Sequence, residues 1–339
     1  MSRYKMVVAV LLAFALCFAS IGTVEAAGER IFLKIGTGFP GGIWYPASAI
    51  LAAEIEKALR ELGYDAWMSI QSTPGAFNVN AVNDGVDMQL TLTTSQNQFA
   101  AFNGMNTFSE RLENIRLLGT QEFMITQIVV PSASDIQSVA DLRDKVTNGG
   151  RPASTDLVMM TALFKAYGMT FDDVRAAGGE IMALGWDDAA AMMQDGHLHC
   201  IGTFGGIMPS LVNLTVQPGV RFLSIGEEQR QRLLEDPSME GFVPATLQAG
   251  VYDGQDYDVG TIAIQTTIVG SKDLPDNVAY AITKVIYESG YHRSPFEATE
   301  AKGWPMVCNP EDLPKVANIP VHPGTLQYFR EIGIEVPEQ

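Results

Sequence analysis

Short β-branched strands alternate with longer helical runs along this chain, and that alternation constrains its fold more than any other feature. Ile31 to Ile35 reads as a buried strand, followed by Gly36-Thr37-Gly38-Phe39-Pro40-Gly41-Gly42 and a helix from Pro46 to Leu62 that Gly63 stops. Ala66 to Ser72 reads as a second strand, Pro74-Gly75 as a turn, Ala76 to Asn83 as a helix and Val86 to Thr93 as a third strand. Strand-helix alternation predicts an α/β fold with a mostly parallel sheet. Gln127 to Pro131 reads as a strand leaving this first series. A second series opens at Ser138 to Leu142 and Lys145-Val146, continues through a helix from Thr155 to Tyr167 closed by Gly168, and reaches a strand from Leu198 to Thr203. Gly260 to Val269 then re-enters the first series, with a helix from Pro275 to Ser289 behind it. With 339 residues the chain exceeds what one core serves, so two lobes are expected. Residues 27–126 and 251–339 form lobe I in this reading, and 127–250 form lobe II.

Arg3 and Lys5 precede an apolar stretch from Met6 to Ile21 that ends at Val24-Glu25-Ala26-Ala27, the pattern of a secretory signal peptide. Residues 1–26 are therefore expected to be removed and the protein to be periplasmic. Cys17 follows Leu16 instead of a small residue, which speaks against a lipid anchor. No later segment stays apolar for the ~20 residues of a membrane helix. A formal net charge of -17 argues against nucleic acid or anionic lipid as partners, while leaving room for a locally positive pocket. Cys200 and Cys308 fit equally a bridge in an oxidising compartment and two separate buried thiols.

Gly36-x-Gly38-x-x-Gly41 between a strand and a helix matches a dinucleotide-binding fingerprint letter for letter. Pro40 removes a backbone donor, and Ile70 and Gln71 stand where an acidic residue would be needed, so a nicotinamide oxidoreductase is not expected. The loop also offers backbone N–H groups at a helix N-terminus, which suits an anion. Its glycines equally suit a tight strand-to-helix turn. No nucleophile elbow, Walker A sequence or zincin helix occurs, and no catalysis or cofactor is expected.

Ile35-Gly36-Thr37-Gly38-Phe39-Pro40-Gly41-Gly42-Ile43-Trp44-Tyr45-Pro46 resembles the N-terminal signature of the TAXI family, the extracytoplasmic binding proteins that serve TRAP (tripartite ATP-independent periplasmic) transporters. Gln71-Ser72-Thr73-Pro74-Gly75, the stretch from Asn80 to Asp87, the stretch from Ile136 to Val146 and the stretch from His322 to Glu331 agree in the same order. The resemblance implies a two-lobed, type II-like periplasmic-binding-protein fold with a ligand cleft between the lobes. It further implies an organic acid or amino acid ligand, delivery to TRAP membrane subunits, and a monomer. Thr37, Gly38 and Tyr45 match the family's first-lobe loop, and Asn78 matches an asparagine at a helix start beside the cleft. Trp44 stands where a tyrosine is usual, which implies a bulkier or more apolar ligand. Two departures concern the ligand. Thr94-Ser95-Gln96 replaces a Gln-Ser-Asp sequence and removes a carboxylate, and Gly149-Gly150-Arg151-Pro152-Ala153-Ser154-Thr155 replaces Gly-Ser-Gly-Thr and inserts a guanidinium.

Arg151 offers a planar fork of donors that pairs with a carboxylate, or with a protein acid in an ordinary salt bridge. Ser154 and Thr155 serve as N-cap residues and, in a cleft, as anion ligands. Thr203-Phe204-Gly205-Gly206 follows a strand of lobe II, where open sheets bind ligands, so Phe204 and Gly205 join the candidates. Asp187 and Asp188 read as the acidic first turn of a helix. His197-x-His199 places two imidazoles on one strand face, yet a metal site needs further ligands, and only His292 and His322 remain. A ligand-sensing module for a membrane receptor is the alternative on the same fold, and a secreted metalloenzyme built on His197 and His199 is the more remote one.

Overall fold

A computed structural model describes residues 28–38, 43–73, 75–291 and 308–337; the expected signal segment lies outside the described residues, as do Phe39 to Gly42. The chain opens with β1 (Arg30–Thr37), α1 (Trp44–Glu61), β2 (Asp65–Ser72), α2 (Gly75–Asp84), β3 (Leu90–Thr94) and α3 (Ser95–Asn103). α1 forms because Leu51, Ile55 and Leu59 recur on one buried face, with Ala47 and Ala52 beside them. It ends at Gly63, whose φ of 90° suits glycine. The long β4 (Ile115–Pro131) leads to β5 (Val146–Asn148), α4 (Thr155–Ala166), α5 (Phe171–Ala176), β6 (Glu180–Met182) and α6 (Trp186–Gln194). There follow β7 (Cys200–Gly205), α7 (Pro209–Val216), β8 (Val220–Phe222), α8 (Glu227–Leu234) and β9 (Phe242–Leu247). The equally long β10 (Val259–Ser271), α9 (Asp276–Glu288), α10 (Leu313–Val316) and α11 (Pro323–Glu331) complete the described elements.

The strands form one ten-stranded sheet in the order β2-β1-β3-β10-β4-β7-β5-β6, with β8 on β4 and β9 on β10. The sheet is mixed. β1 pairs in parallel with β2 and β3, and β5 with β6 and β7, while β10 runs antiparallel to β3, β4 and β9. The expected α/β architecture holds, and the antiparallel character comes from the two long strands that belong to both lobes. In lobe I, Thr266 to Gly270 of β10 face β3 and Ile115 to Thr120 of β4. In lobe II, Val259 to Ile264 face β9, and Ile125 to Val129 of β4 face β7.

At the crossover the register between β4 and β10 slips, with Gln265 opposite Phe123 but Thr267 opposite Thr120. Gln121, Glu122, Gln265, Thr266 and Thr267 are all buried there. Each lobe has a core on both faces of the sheet. Leu33, Ile35, Leu90 and Leu92 pack under α1 and α9 on one face of lobe I, and Val79, Val82 and Phe329 lie on the other. Met159, Leu163 and Phe164 serve one face of lobe II, and Ile201, Leu211 and Phe222 the other.

Several expectations are corrected. β3 begins at Leu90, not Val86, which is 80% exposed. The strand expected from Gln127 already runs from Ile115. The expected return to lobe I at residue 251 comes later: Tyr252 stacks on Phe222 with centroids 4.6 Å apart and donates to Gln127 Oε1 at 2.7 Å, inside lobe II. Cys200 and Cys308 lie in the cores of different lobes, so no bridge joins them.

Candidate functional site

The parallel strands β1, β2 and β3 of lobe I and β5, β6 and β7 of lobe II all end toward the same region, and a cavity of about 330 Å³ lies there. Lobe I contributes Gly38, Trp44, Thr73, Gly75, Thr93, Thr94 and Asn97. Lobe II contributes Arg151, Pro152, Ala153, Ser154, Thr155, Asp156, Ala183, Trp186 and Phe204. Trp44 packs against the cores of both lobes, so it ties the two walls together.

Hydrogen bonds within the lobe I wall explain why it holds its shape. Thr94 caps α3, its hydroxyl accepting from the Asn97 N–H at 3.2 Å, while Asn97 Nδ2 donates to Thr93 Oγ1 at 3.2 Å. Thr37 does not line the cavity. It is fully buried, its hydroxyl accepting from Ser48 Oγ at 2.8 Å. Asn78 is buried too. Its Nδ2 donates to the Thr37 carbonyl at 3.2 Å and the Thr73 carbonyl at 3.1 Å, and its Oδ1 accepts from Thr73 Oγ1. These two residues brace the loop behind the wall. Tyr45 is half-buried outside the lining. A side chain on Gly36 would put its Cβ 2.5 Å from Met88 Sδ and 2.7 Å from Thr91 Oγ1, so that glycine answers to close packing.

The lobe II wall is shaped by backbone geometry that the sequence had to permit. Gly150 has φ of 88°, and a Cβ there would lie 2.5 Å from the Leu157 nitrogen. Ala153 has φ of 60°, a left-handed conformation that costs a non-glycine residue on the order of 1 kcal/mol. The turn is closed by Ser154, which donates to the Arg151 carbonyl at 2.7 Å and accepts from the Leu157 N–H at 3.2 Å as the α4 N-cap. Phe204 forms an aromatic wall at the end of β7. Gly205 lies behind it, its carbonyl accepting from Gln127 Nε2 at 3.3 Å.

Of the residues expected from sequence, Gly38, Trp44, Thr94, Arg151, Ser154, Thr155 and Phe204 meet at the cavity, whereas Thr37, Tyr45, Asn78 and Gly205 do not. Asp156 and Trp186 were missed. Asp156 Oδ1 accepts from the Phe204 N–H at 3.2 Å and from Thr203 Oγ1 at 3.3 Å. Burial pushes its carboxyl up to about 6, against the pull of those donors, of Trp186 and of the Arg151 charge. Its position directly after Ser154-Thr155 was the available signal. Trp186 opens α6 just before Asp187 and Asp188, which lie in the first turn as expected.

The two-imidazole reading is corrected. β7 begins at Cys200, so His197 and His199 precede the strand, and His199 Nδ1 accepts from the Val146 N–H at 3.1 Å. His322 is buried as the cap of α11, accepting from the Gly324 N–H at 3.2 Å, and His292 lies outside the described residues. Among the described residues no group of three or more His, Cys, Asp or Glu could hold a metal ion, and no helix is long and apolar enough to cross a membrane.

The sequence from residue 35 to residue 333 matches the NMT1-like family. The chain belongs to that family. Its fold is that of solved periplasmic binding proteins. XAC2383 from Xanthomonas citri bound to chloride ion shares 13% identity over 89% of this chain and 99% of its own, with a TM-score of 0.52. The periplasmic sulfonate-binding protein SsuA of a putative sulfonate ABC transporter from Methylobacillus flagellatus shares 10% identity over 92% of this chain and 98% of its own, with a TM-score of 0.51. The periplasmic binding protein BugD shares 14% identity over 91% of this chain and 99% of its own, with a TM-score of 0.50. Of these neighbours, SsuA and BugD are periplasmic binding proteins.

Proposed function

We propose that this NMT1-like protein is an extracytoplasmic solute-binding protein of TAXI type. It closes its lobes on a small organic anion, a carboxylate in the first instance, and hands it to the membrane subunits of a TRAP-type transporter. The observation that carries the reading is the cavity between the lobes. The N-termini of α2, α3, α4 and α6 border it through Gly75, Thr94, Thr155 and Trp186, and the Arg151 guanidinium lines it. Helix N-termini and a guanidinium favour negative charge without further help. Trp44, Trp186 and Phe204 supply apolar surface for the rest of the ligand. The anions named for two fold neighbours, chloride and sulfonate, are of the same kind. The segment before Ala27 has the pattern of an export signal, which supports a periplasmic location.

Thermal unfolding of residues 27–339 against amino acids, keto acids, dicarboxylates, aromatic carboxylates and sulfonates tests this. A ligand at a hundred times its dissociation constant adds ~2.7 kcal/mol. One anion class should shift the midpoint, and Arg151→Ala should weaken that ligand by ~2 to 5 kcal/mol. A panel without any shift for intact, ligand-stripped protein would sink the anion reading, and undiminished affinity in Arg151→Ala would remove Arg151 from the site.

A further inference from the structure

The cleft carries a contradiction in charge. Its helix N-termini and Arg151 suit an anion, yet the carboxyl of Asp156 lines the same cavity, and that residue is only 8% exposed. A second acid stands nearby. A Cβ placed on Gly185 would sit 3.6 Å from Asp188 Oδ2 and 3.8 Å from Arg151 Nη1, so guanidinium and carboxylate converge at the start of α6. Asp187 and Asp188 are exposed in that first turn. The elements facing Asp156 from lobe I bring Thr73, Thr93, Thr94 and Asn97, which are hydroxyl and amide groups without charge. Strand β7 brings the Thr203 hydroxyl and the Phe204 N–H. A ligand carboxylate entering here therefore joins two acids around one guanidinium.

Inside a cavity, two carboxylates that approach closely do not both stay ionised, and the more buried one keeps a proton. We propose that Asp156 makes anion capture proton-linked: the cleft takes up a carboxylate together with one proton from solvent, held on Asp156, and so favours a singly charged anion over a dianion. This rests on the reading that the ligand is an anion. Burial already raises the Asp156 carboxyl to about 6, and an added negative charge beside it pushes it further in the same direction. Protonated, Asp156 keeps accepting from Thr203 and Phe204 through Oδ1, and its other oxygen can turn from acceptor to donor.

Calorimetric titration with phenylacetate, benzenesulfonate and succinate at pH 5.5, 7.0 and 8.5 tests the proposal, because none of the first two probes changes charge in that range. The wild-type protein is expected to bind the tighter monoanion at least about tenfold more strongly at pH 5.5 than at pH 8.5, a linkage that can reach about tenfold per pH unit. Repeating pH 7.0 in buffers of different ionisation enthalpy should show uptake of a proton on binding. Asp156→Asn should bind that monoanion independently of pH and should gain most for succinate. Wild-type affinity that does not change with pH, with no proton taken up, overturns the proposal while leaving anion binding intact. Pronounced pH dependence that persists in a folded Asp156→Asn protein overturns it as well. If no anion binds at any pH, the proposed function itself falls and this inference with it. The buffer comparison needs only the wild type, so a variant that fails to fold does not shelter the idea.

Discussion

The two walls of the cleft use the same kinds of polar residue for different ends. In lobe I, Thr37, Ser48 and Asn78 bond behind the surface to one another and to Thr73 in the lining, and the wall presents neutral groups at fixed positions. In lobe II, one turn holds a left-handed alanine, a guanidinium and a buried carboxyl against the cavity. The first wall keeps shape, and in the proposed function the second reads charge. A hydroxyl or amide beside a cleft is thus assigned by counting its partners, since a side chain whose bonds are already made has little left for a ligand.

The largest effect that sharpens this contrast is expected at the seam between the walls, where Glu122 sits in the crossover. Burial pushes its carboxyl from 4.5 up to about 7, against the pull of its own backbone N–H and of the Thr266 hydroxyl. Tyr291 faces it as a neutral phenol, itself raised by burial, and Glu122 has no ion pair among the described residues. A carboxyl raised this far is neutral in the folded protein below about pH 7. Its contribution is fully present below about 4.5 and is lost as pH rises through about 7. Glu122→Gln should therefore gain ~3 kcal/mol on the wild type between pH 4.5 and pH 9, as read from denaturant unfolding at both ends. An equal gap between the two proteins at both pH values would show that Glu122 is already ionised in the folded state.

Next in size is the brace of the lobe I wall. Asn78→Ala leaves the Thr37 and Thr73 carbonyls without their side-chain donor in a buried place, which costs about 2 kcal/mol. The loss should appear in urea midpoints at any pH, with anion affinity little changed in the protein that remains folded. A variant of unaltered stability that no longer binds would make Asn78 a ligand contact and break the division of labour between the walls.

How far the sequence foretold this site differs between the walls for a physical reason. Local signals are strong where a helix begins, so Ser154 and Thr155 were legible as caps, and glycines marked Arg151 as lying in a loop, whereas the Thr94 cap went unread. Thr37 and Asn78 were legible as cleft-side residues but not as braces, because their partners lie on other elements. Asp156 hid in a helical first turn, where an acid ordinarily serves the helix dipole, and only the packing of α4 against the end of β7 turns it inward. The strand-helix alternation made the α/β architecture legible, whereas β4 was read at less than a third of its 17 residues because Gln121 and Glu122 interrupt its apolar run at the crossover. The His197 and His199 pair failed for the reverse reason, since its spacing suggested a strand that starts only at Cys200.

The smallest effects allow the most direct comparison, because each wall carries one helix cap whose hydroxyl borders the cavity. Thr94 accepts from the Asn97 N–H and Ser154 from the Leu157 N–H, both at 3.2 Å. Thr94→Ala and Ser154→Ala should each cost about 1 kcal/mol of stability, the usual worth of a cap. Affinity is where they should part. Ser154 closes the turn that presents Arg151, so its loss should weaken the tightest anion of the panel about tenfold, roughly one hydrogen bond to a charged group. Thr94→Ala should leave that affinity within about twofold, because the wall it caps is held by its own bonds. Equal losses of affinity in the two variants would mean that both walls read the anion, and the distinction between a shaping wall and a reading wall would have to be given up.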